Sequence, residues 1–371
     1  MSIVNTRIQN TRENSNLDKN ELRPSRYGGL NLFMAQTNAP GGILTPEIIT
    51  KAESSIGSTL ETPVIDFDGT ITIGNTRTAT IADSENTSRM YAISFATYAW
   101  GFTSVPSLFM NNEISMQADF ERKFNKYLYK LGEVLDAAAI SALAAAKSQV
   151  FADLLTYSNV GNAVITPWRM RENIIGDINP IMAANDHFGG INLVGNGGLE
   201  SIINKLAQKA VYNESNQTLQ YADKMLYYTP RIANATGEFA NLYAVMDGSV
   251  GILTRFEREA LLGTETADGH AWGIDTLPML NFPIGTYYYE SVGDFNAIAG
   301  AASADMTRAR KEHFGFAIDV AFVTPFNSAP STIANPIMKY TIMSETDADK
   351  LQIIVANPVT NPVNTQEVSA S

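Results

Sequence analysis

Two aspartates separated by one residue close the apolar run in TPVIDFDGTITIG, Thr62 to Gly74. Asp66 and Asp68 could serve nucleophilic and acid–base chemistry, or they could simply sit at the root of a β-hairpin, where acids suit turns. Little else in the chain invites chemistry. His187, His270 and His313 are too far apart for metal-ligand spacing and read as surface or hydrogen-bonded histidines. VGNGGLE lies between strand-like and helix-like stretches, as a phosphate-cradling loop would. Glu200, however, stands in the place of the third glycine and brings a negative charge to the helix start, so turn chemistry is the expectation. There is no cysteine and no serine in a nucleophile-elbow pattern. No cofactor or metal site is expected.

The Asp66-Phe67-Asp68-Gly69-Thr70 pattern resembles the nucleophile motif of haloacid-dehalogenase-type phosphatases. That resemblance implies Asp66 as the nucleophile, Asp68 as the acid for the leaving group, and Mg²⁺ held by further acids. The rest of the chain does not supply the set. Gly293-Asp294 is the best match to the family's late acidic motif, but Ile298 falls where a second acid belongs. Strands and helices do not alternate as a doubly wound sheet requires, and Pro63 would interrupt a central strand.

The elements that would position any site divide by texture. Residues 1 to about 55 are rich in Asn, Thr and Arg, are punctuated by Pro24, Gly28, Gly29, Pro40, Gly41 and Gly42, and read as an extended arm. From Pro63 to Phe102 the texture is β. TITIGNTRTATI alternates around Gly74-Asn75, a two-residue turn signal, and MYAISFATYAWGF reads as one strand. That hairpin has no strong apolar face and is marginal without a second surface. Residues 111 to 151 carry the clearest periodicity: Phe120, Phe124, Leu128, Leu131, Leu135, Ala138 and Ala142 predict a helix of about 40 residues, started at Asn111 or Asn112 and packed on sheet. Beyond it, INLVG, LQYADKMLYYTPRI and FANLYAVMDGSVGIL read as strands, and GGLESIINKLAQKAV and TRFEREALLG as helices. A loop-rich stretch runs to about 300, and HFGFAIDVAFVTPF, KYTIMS and LQIIVANPV read as late strands.

Composition narrows the function. Charged residues make up 17% of the 371 residues, against about 25% in ordinary soluble domains. So lean a surface points to a subunit of something larger. The net charge of −12, with no basic run, argues against a nucleic-acid-gripping face. No stretch reads as a membrane span, and the start of the sequence has no apolar signal core.

In this order the elements resemble the major capsid protein of tailed phages, the Hong Kong 97 or Johnson fold. MNNEISMQADFERKFNKYLYKLGEVLDAAAISALAAAK is similar to its spine helix, LYAVMDGSVGIL to a strand pair of its axial lobe, and FGFAIDVAFVTPF to its late peripheral strands. The resemblance implies an α+β fold with an N-terminal arm (1–55), an extended β-hairpin loop (56–102), a peripheral domain with the spine helix (103–160 plus 305–357), an axial domain (161–304) and a C-terminal tail (358–371). It implies a non-catalytic shell protein, assembled in the host cytoplasm into hexamers and pentamers of a virion capsid. Portal and scaffold proteins would be partners, and double-stranded DNA would be enclosed without specific binding. A nanocompartment shell is the rival within the same fold. Asp66, Asp68, Gly74, Asn75, Arg77 and Arg89 become candidate assembly contacts on the hairpin. No lysine occurs between Lys51 and Lys123, so a lysine-based covalent weld from that loop is not expected.

Overall fold

In the computed structural model three helices, α1 (Ile3–Ser15), α2 (Gly28–Thr37) and α3 (Pro46–Ser54), occupy the part read from composition as an extended arm. Described are residues 3–15, 27–37, 39, 41–55, 57–65, 88–106, 115–150, 157–207, 212–213, 218–221, 224–256, 270–278, 280–296, 306–326 and 333–345. After α3 come β1 (Thr59–Ile65), β2 (Ser88–Ser94), β3 (Ala96–Ser104) and the long α4 (Met116–Ala146). Then follow β4 (Ser158–Val160), β5 (Ala163–Thr166), α5 (Ile174–Ala184), β6 (Ile191–Gly195) and α6 (Gly197–Ala207). β7 (Tyr212–Asn213), β8 (Thr218–Tyr221), β9 (Lys224–Tyr228), β10 (Glu238–Met246) and β11 (Gly251–Arg255) lead to β12 (His270–Thr276). β13 (Pro283–Asn296), β14 (Met306–Val323) and β15 (Ile337–Met343) complete the series.

The fold is α+β, with two large sheets and a separate two-stranded ribbon, β1–β2. An eight-stranded sheet runs β4-β5-β15-β10-β6-β9-β8-β7, mixed in direction because β15 is parallel to β5 and β6 to β9. The second sheet is β11-β14-β13-β12 with β3 on the other side of β14. α5 and α6 bury Ile174, Ile178, Ile181, Leu199 and Ile202 against Leu193, Leu242, Tyr340 and Ile342 of the eight-stranded sheet.

α4 is the hub. Ser115, not Asn111 or Asn112, caps it: its side chain accepts the Ala118 N–H at 3.2 Å. Its 31 residues span about 46 Å. Phe120, Phe124, Leu128, Leu131, Leu135, Ala139 and Leu143 form the buried stripe, so the apolar face drifts from the predicted Ala138 and Ala142 to Ala139 and Leu143. Phe120 meets Phe314 edge-on at 5.1 Å, and Phe124 meets Phe316 at 5.4 Å, which seats α4 on β14. The sheet is not its only support. α1 buries Val4 and Ile8 in the same core, and α2 buries Leu30, Leu32 and Phe33. Tyr27 lies over Gly132, where an added Cβ would sit 3.1 Å from the ring.

One buried acid joins these parts. Asp136 of α4 accepts the Leu30 N–H at 3.0 Å, the Thr229 hydroxyl at 2.5 Å and Arg231 Nη1 at 3.2 Å. Leu30 lies in the first turn of α2, whose N–H groups have no partner within the helix. A side chain from α4 therefore caps α2.

Other sequence expectations change. MYAISFATYAWGF divides at Phe95 into β2 and β3, which belong to different sheets. β10 and β11 are likewise not paired with each other. Thr254 and Arg255, expected to open a helix, are the end of β11. Within the stretch read as loop, β12 and the 14-residue β13 form a ladder. LQIIVANPV and the tail from Pro358 lie outside the described residues. Strand pairing also crosses the sequence-based partition at about 305: β11 pairs with β14, and β15 inserts between β5 and β10.

Asp136→Ala is expected to cost about 3 kcal/mol or more, because it strands Leu30 N–H, the Thr229 hydroxyl and Arg231 together. Chemical denaturation, read as a fall in midpoint at unchanged slope, measures it.

Candidate assembly interface

Two strand pairs run past the sheets that support them. In the first, β1 and β2 pair antiparallel from Thr59↔Ser94 to Ile65↔Ser88 and, among the described residues, with no other strand. Their base is anchored: Leu60 and Ile93, directly opposite, are buried with Leu44, Ala52, Phe95, Leu253, Ala321 and Val323. Lys51 Nζ donates to the Glu61 carbonyl at 3.0 Å. Farther out the support ends. Pro63 is exposed opposite Met90, which is 58% exposed.

The root of this ribbon is locked by a buried ion pair. Arg255 of β11 reaches Asp319 of β14 at 3.4 Å, with the two side chains 2% and 7% exposed. The same guanidinium donates to the Ser55 carbonyl at 3.0 Å, to Ser55 Oγ at 2.7 Å and to the Gly57 carbonyl. It also lies over the Phe95 ring at 4.0 Å. Asp319 accepts the Thr97 hydroxyl at 2.6 Å on its other oxygen. One cation thus binds the backbone entering β1 and the ring between β2 and β3.

The second ribbon is the outer part of β13–β14. β3 stops at Ser104↔Glu312, and the described part of β12 reaches His270↔Tyr289, while β13 and β14 continue to Asn296↔Met306. Val292 on this extension is 66% exposed. Its root carries a charged cluster on one face. Arg7 of α1 pairs with Glu312 at 3.2 Å, and its guanidinium lies 5.3 Å from the Phe314 ring centre. Arg310 pairs with Glu290 and lies 3.7 Å from Glu312. Tyr288 donates to Glu290 at 2.6 Å. Burial and that hydrogen bond push the Tyr288 phenol up to about 12. Burial also raises the Glu312 carboxyl, against the pull of Arg7 and Arg310.

On the opposite face His313 stacks on Tyr289 with ring centres 4.1 Å apart. Nδ1 bonds with the Thr103 hydroxyl at 3.0 Å and Nε2 with the Ser291 hydroxyl at 2.8 Å. Burial first, then Lys311, lowers its pKa, so the ring sits neutral between the two hydroxyls.

Of the candidate contacts named from sequence, Asp66, Asp68, Gly74, Asn75 and Arg77 lie outside the described residues. Arg89 is in β2 opposite Val64, its side chain not described. The strand leading to Asp66 does not favour the phosphatase alternative. β1 belongs to an antiparallel two-stranded ribbon, whereas an aspartyl nucleophile of that type belongs at the end of a central parallel strand. The structure adds Arg255, Asp319, Arg7, Glu290, Arg310, Glu312 and His313, none of which sequence reasoning singled out as a ribbon contact. The density of charged residues in TRARKEH, Thr307 to His313, was the available signal for a solvated strand extension.

Arg255→Ala is expected to destabilise by about 3–5 kcal/mol, since Asp319 is left buried with only the Thr97 hydroxyl. Hydrogen exchange should show the largest loss of protection in β1 and β2. His313 gives a pH signature. Its folded pKa lies below the ordinary 6.5, so the unfolded chain takes the proton first. The stability it contributes is present above 6.5 and lost as pH falls through the depressed value. Glu312, raised above 4.5, has the opposite sign: its contribution is present below 4.5 and lost as pH rises through the raised value. His313→Gln should therefore lose the part of the stability decline below pH 6.5 that the imidazole causes, seen as the difference between the two proteins' denaturation midpoints across pH.

No protein-family profile and no curated protein matches the sequence. Solved structures do resemble it in chain path. The Cyanophage Pam1 capsid asymmetric unit matches with a TM-score of 0.46 and 11% identity over 80% of this chain and 88% of that one. A chain of Mycobacterium phage Che8 matches at 0.42 and 7%, over 81% and 89%. The capsid of an empty GTA particle matches at 0.40 and 10%, over 83% and 93%.

Proposed function

We propose that this chain is a major capsid protein, a non-catalytic subunit that assembles with copies of itself into the icosahedral shell of a tailed, double-stranded DNA phage. The observation that carries the proposal is the pair of ribbons. Among the described residues each is two strands wide where it leaves its sheet, exposes an apolar side chain there (Met90, Val292), and is fixed at its root by packing and charge. A two-stranded ribbon is marginal alone in water. Holding one rigidly beyond the body makes physical sense when a neighbour supplies the missing surface, and repeated copies in symmetric contact do so.

On this reading the β1–β2 ribbon is the stem of the extended loop, and Asp66, Asp68, Gly74, Asn75, Arg77 and Arg89 belong to its contact region. The five-stranded sheet with α4 forms the peripheral body and the eight-stranded sheet the axial one, joined in hexamers and pentamers. The shell encloses DNA without gripping it, and portal and scaffold proteins are its partners. Contacts from the extended loop are non-covalent.

Electron microscopy and native mass spectrometry of the purified protein should show capsomers or closed shells. A persistent monomer under assembly-promoting conditions would overturn the reading. Met90→Asp, at an exposed ribbon position, is expected to leave the melting temperature within about 2 °C of the parent while blocking shell formation.

A further inference from the structure

Most strand edges among the described residues are short, covered or blunted. β4 and β7, at the ends of the eight-stranded sheet, have three and two residues. β12 carries Asp275 on its strand, besides Arg12 of α1 on its Thr276 carbonyl. β1 contains Pro63 and Glu61. β3 is different. Among the described residues it pairs with β14 alone, in an unbroken register from Ser104↔Glu312 to Ala96↔Val320. Its nine residues, ATYAWGFTS, contain no charge and no proline. Soluble proteins blunt such an edge with charge, proline or a bulge, because bare N–H and C=O groups template another strand. The Thr103 carbonyl accepts Lys123 Nζ at 3.0 Å. The backbone groups of Thr103, and by strand alternation those of Thr97, Ala99 and Gly101, therefore face the open edge.

The residue types of β3 read alike in both directions from Trp100. Ala99 and Gly101 flank it, then Tyr98 and Phe102, then Thr97 and Thr103, then Ala96 and Ser104. A second copy laid antiparallel about a two-fold axis at Trp100 would set indole against indole. Tyr98 would face the second copy's Phe102, and Thr97 the second copy's Thr103. Aromatic pairs and Thr–Thr pairs are favourable across strands, and no like charges meet. Tyr98, Trp100 and Phe102 are only partly covered against the core, so such pairing removes further apolar surface from water. On the other face Thr97, Ala99, Gly101 and Thr103 are small and exposed, and offer no obstruction.

We infer that β3 is a self-pairing edge: two copies of this chain join antiparallel through β3 about a two-fold axis at Trp100, which continues the five-stranded sheet of one copy into the other. The inference rests on the shell reading only in requiring that like copies meet.

The chain has no cysteine, so single cysteines report without background. At about 3.4 Å per residue, Ala99 would lie about 7 Å along the strand from its mate, and Ala96 about 27 Å. Both positions are exposed. Assembled Ala99→Cys protein treated with a short bifunctional thiol cross-linker should run largely as a dimer on denaturing gels, and Ala96→Cys protein as a monomer. Ala99→Lys, which sets like charges on the shared edge, should keep the parent's melting temperature and weaken association at least tenfold in sedimentation. No dimer from Ala99→Cys, or equal dimer from both cysteines, would overturn the inference. Shells that form without the cross-link would sink it and leave the shell reading standing. Cross-linked dimers that never build shells would do the reverse.

Discussion

The Arg255–Asp319 pair is the constraint on which the ribbon geometry depends. Burying two charges is costly, and a well-packed apolar replacement often matches such a pair in stability. What an apolar residue could not do here is satisfy the Ser55 and Gly57 carbonyls at the same time. A guanidinium presents several donors in a fixed plane, and this one divides them between a carboxylate on β14 and the backbone that enters β1. Phe95 closes the remaining face. The direction in which β1 leaves the body is therefore set by a bonding pattern with little slack.

The same logic recurs at Asp136 and at Glu312. Each is a nearly or fully buried carboxylate that receives an arginine from another element, Arg231 in one case and Arg7 in the other. Each stands where parts of the fold meet: α4 with α2 and the end of β9, and α1 with the β14 extension. A chain with only 17% charged residues thus places several of them at junctions rather than on a solvated surface. That distribution reconciles low charge with a well-defined architecture, because a charge at a junction between elements specifies geometry.

What the sequence revealed follows the range of the physics. α4 was legible because seven apolar residues at helical spacing are a local pattern. The ribbon stem was legible only in its β texture from Pro63 onward: β2 ran together with β3 in the sequence, and the alternation and turn residues around Gly74-Asn75 lie outside the described residues. α1 was not, because its inward face amounts to Val4, Ile8 and Thr11 amid Asn, Thr and Arg, and its helicity depends on packing against α4 and the sheet. β13 was obscured by Gly285 and Gly293, which look like loop punctuation. Gly285 is needed because the Phe256 ring occupies the space an added Cβ would take. Arg255 and Asp319 lie 64 residues apart, so nothing local links them. The junction charges belong to tertiary structure, and no motif announces them.

Rigid roots change the energetics of association. A free hairpin that docks on a neighbour must surrender backbone freedom of about 1–2 kcal/mol per residue ordered. That would cancel much of what a sparse Thr- and Ala-rich surface can return. With Leu60 and Ile93 packed, Arg255 bonded and β13–β14 continuous with a five-stranded sheet, the described stems are ordered before contact. Less of the interaction free energy is then spent on ordering. Individually weak, uncharged contacts become sufficient when each subunit repeats them around a closed symmetry.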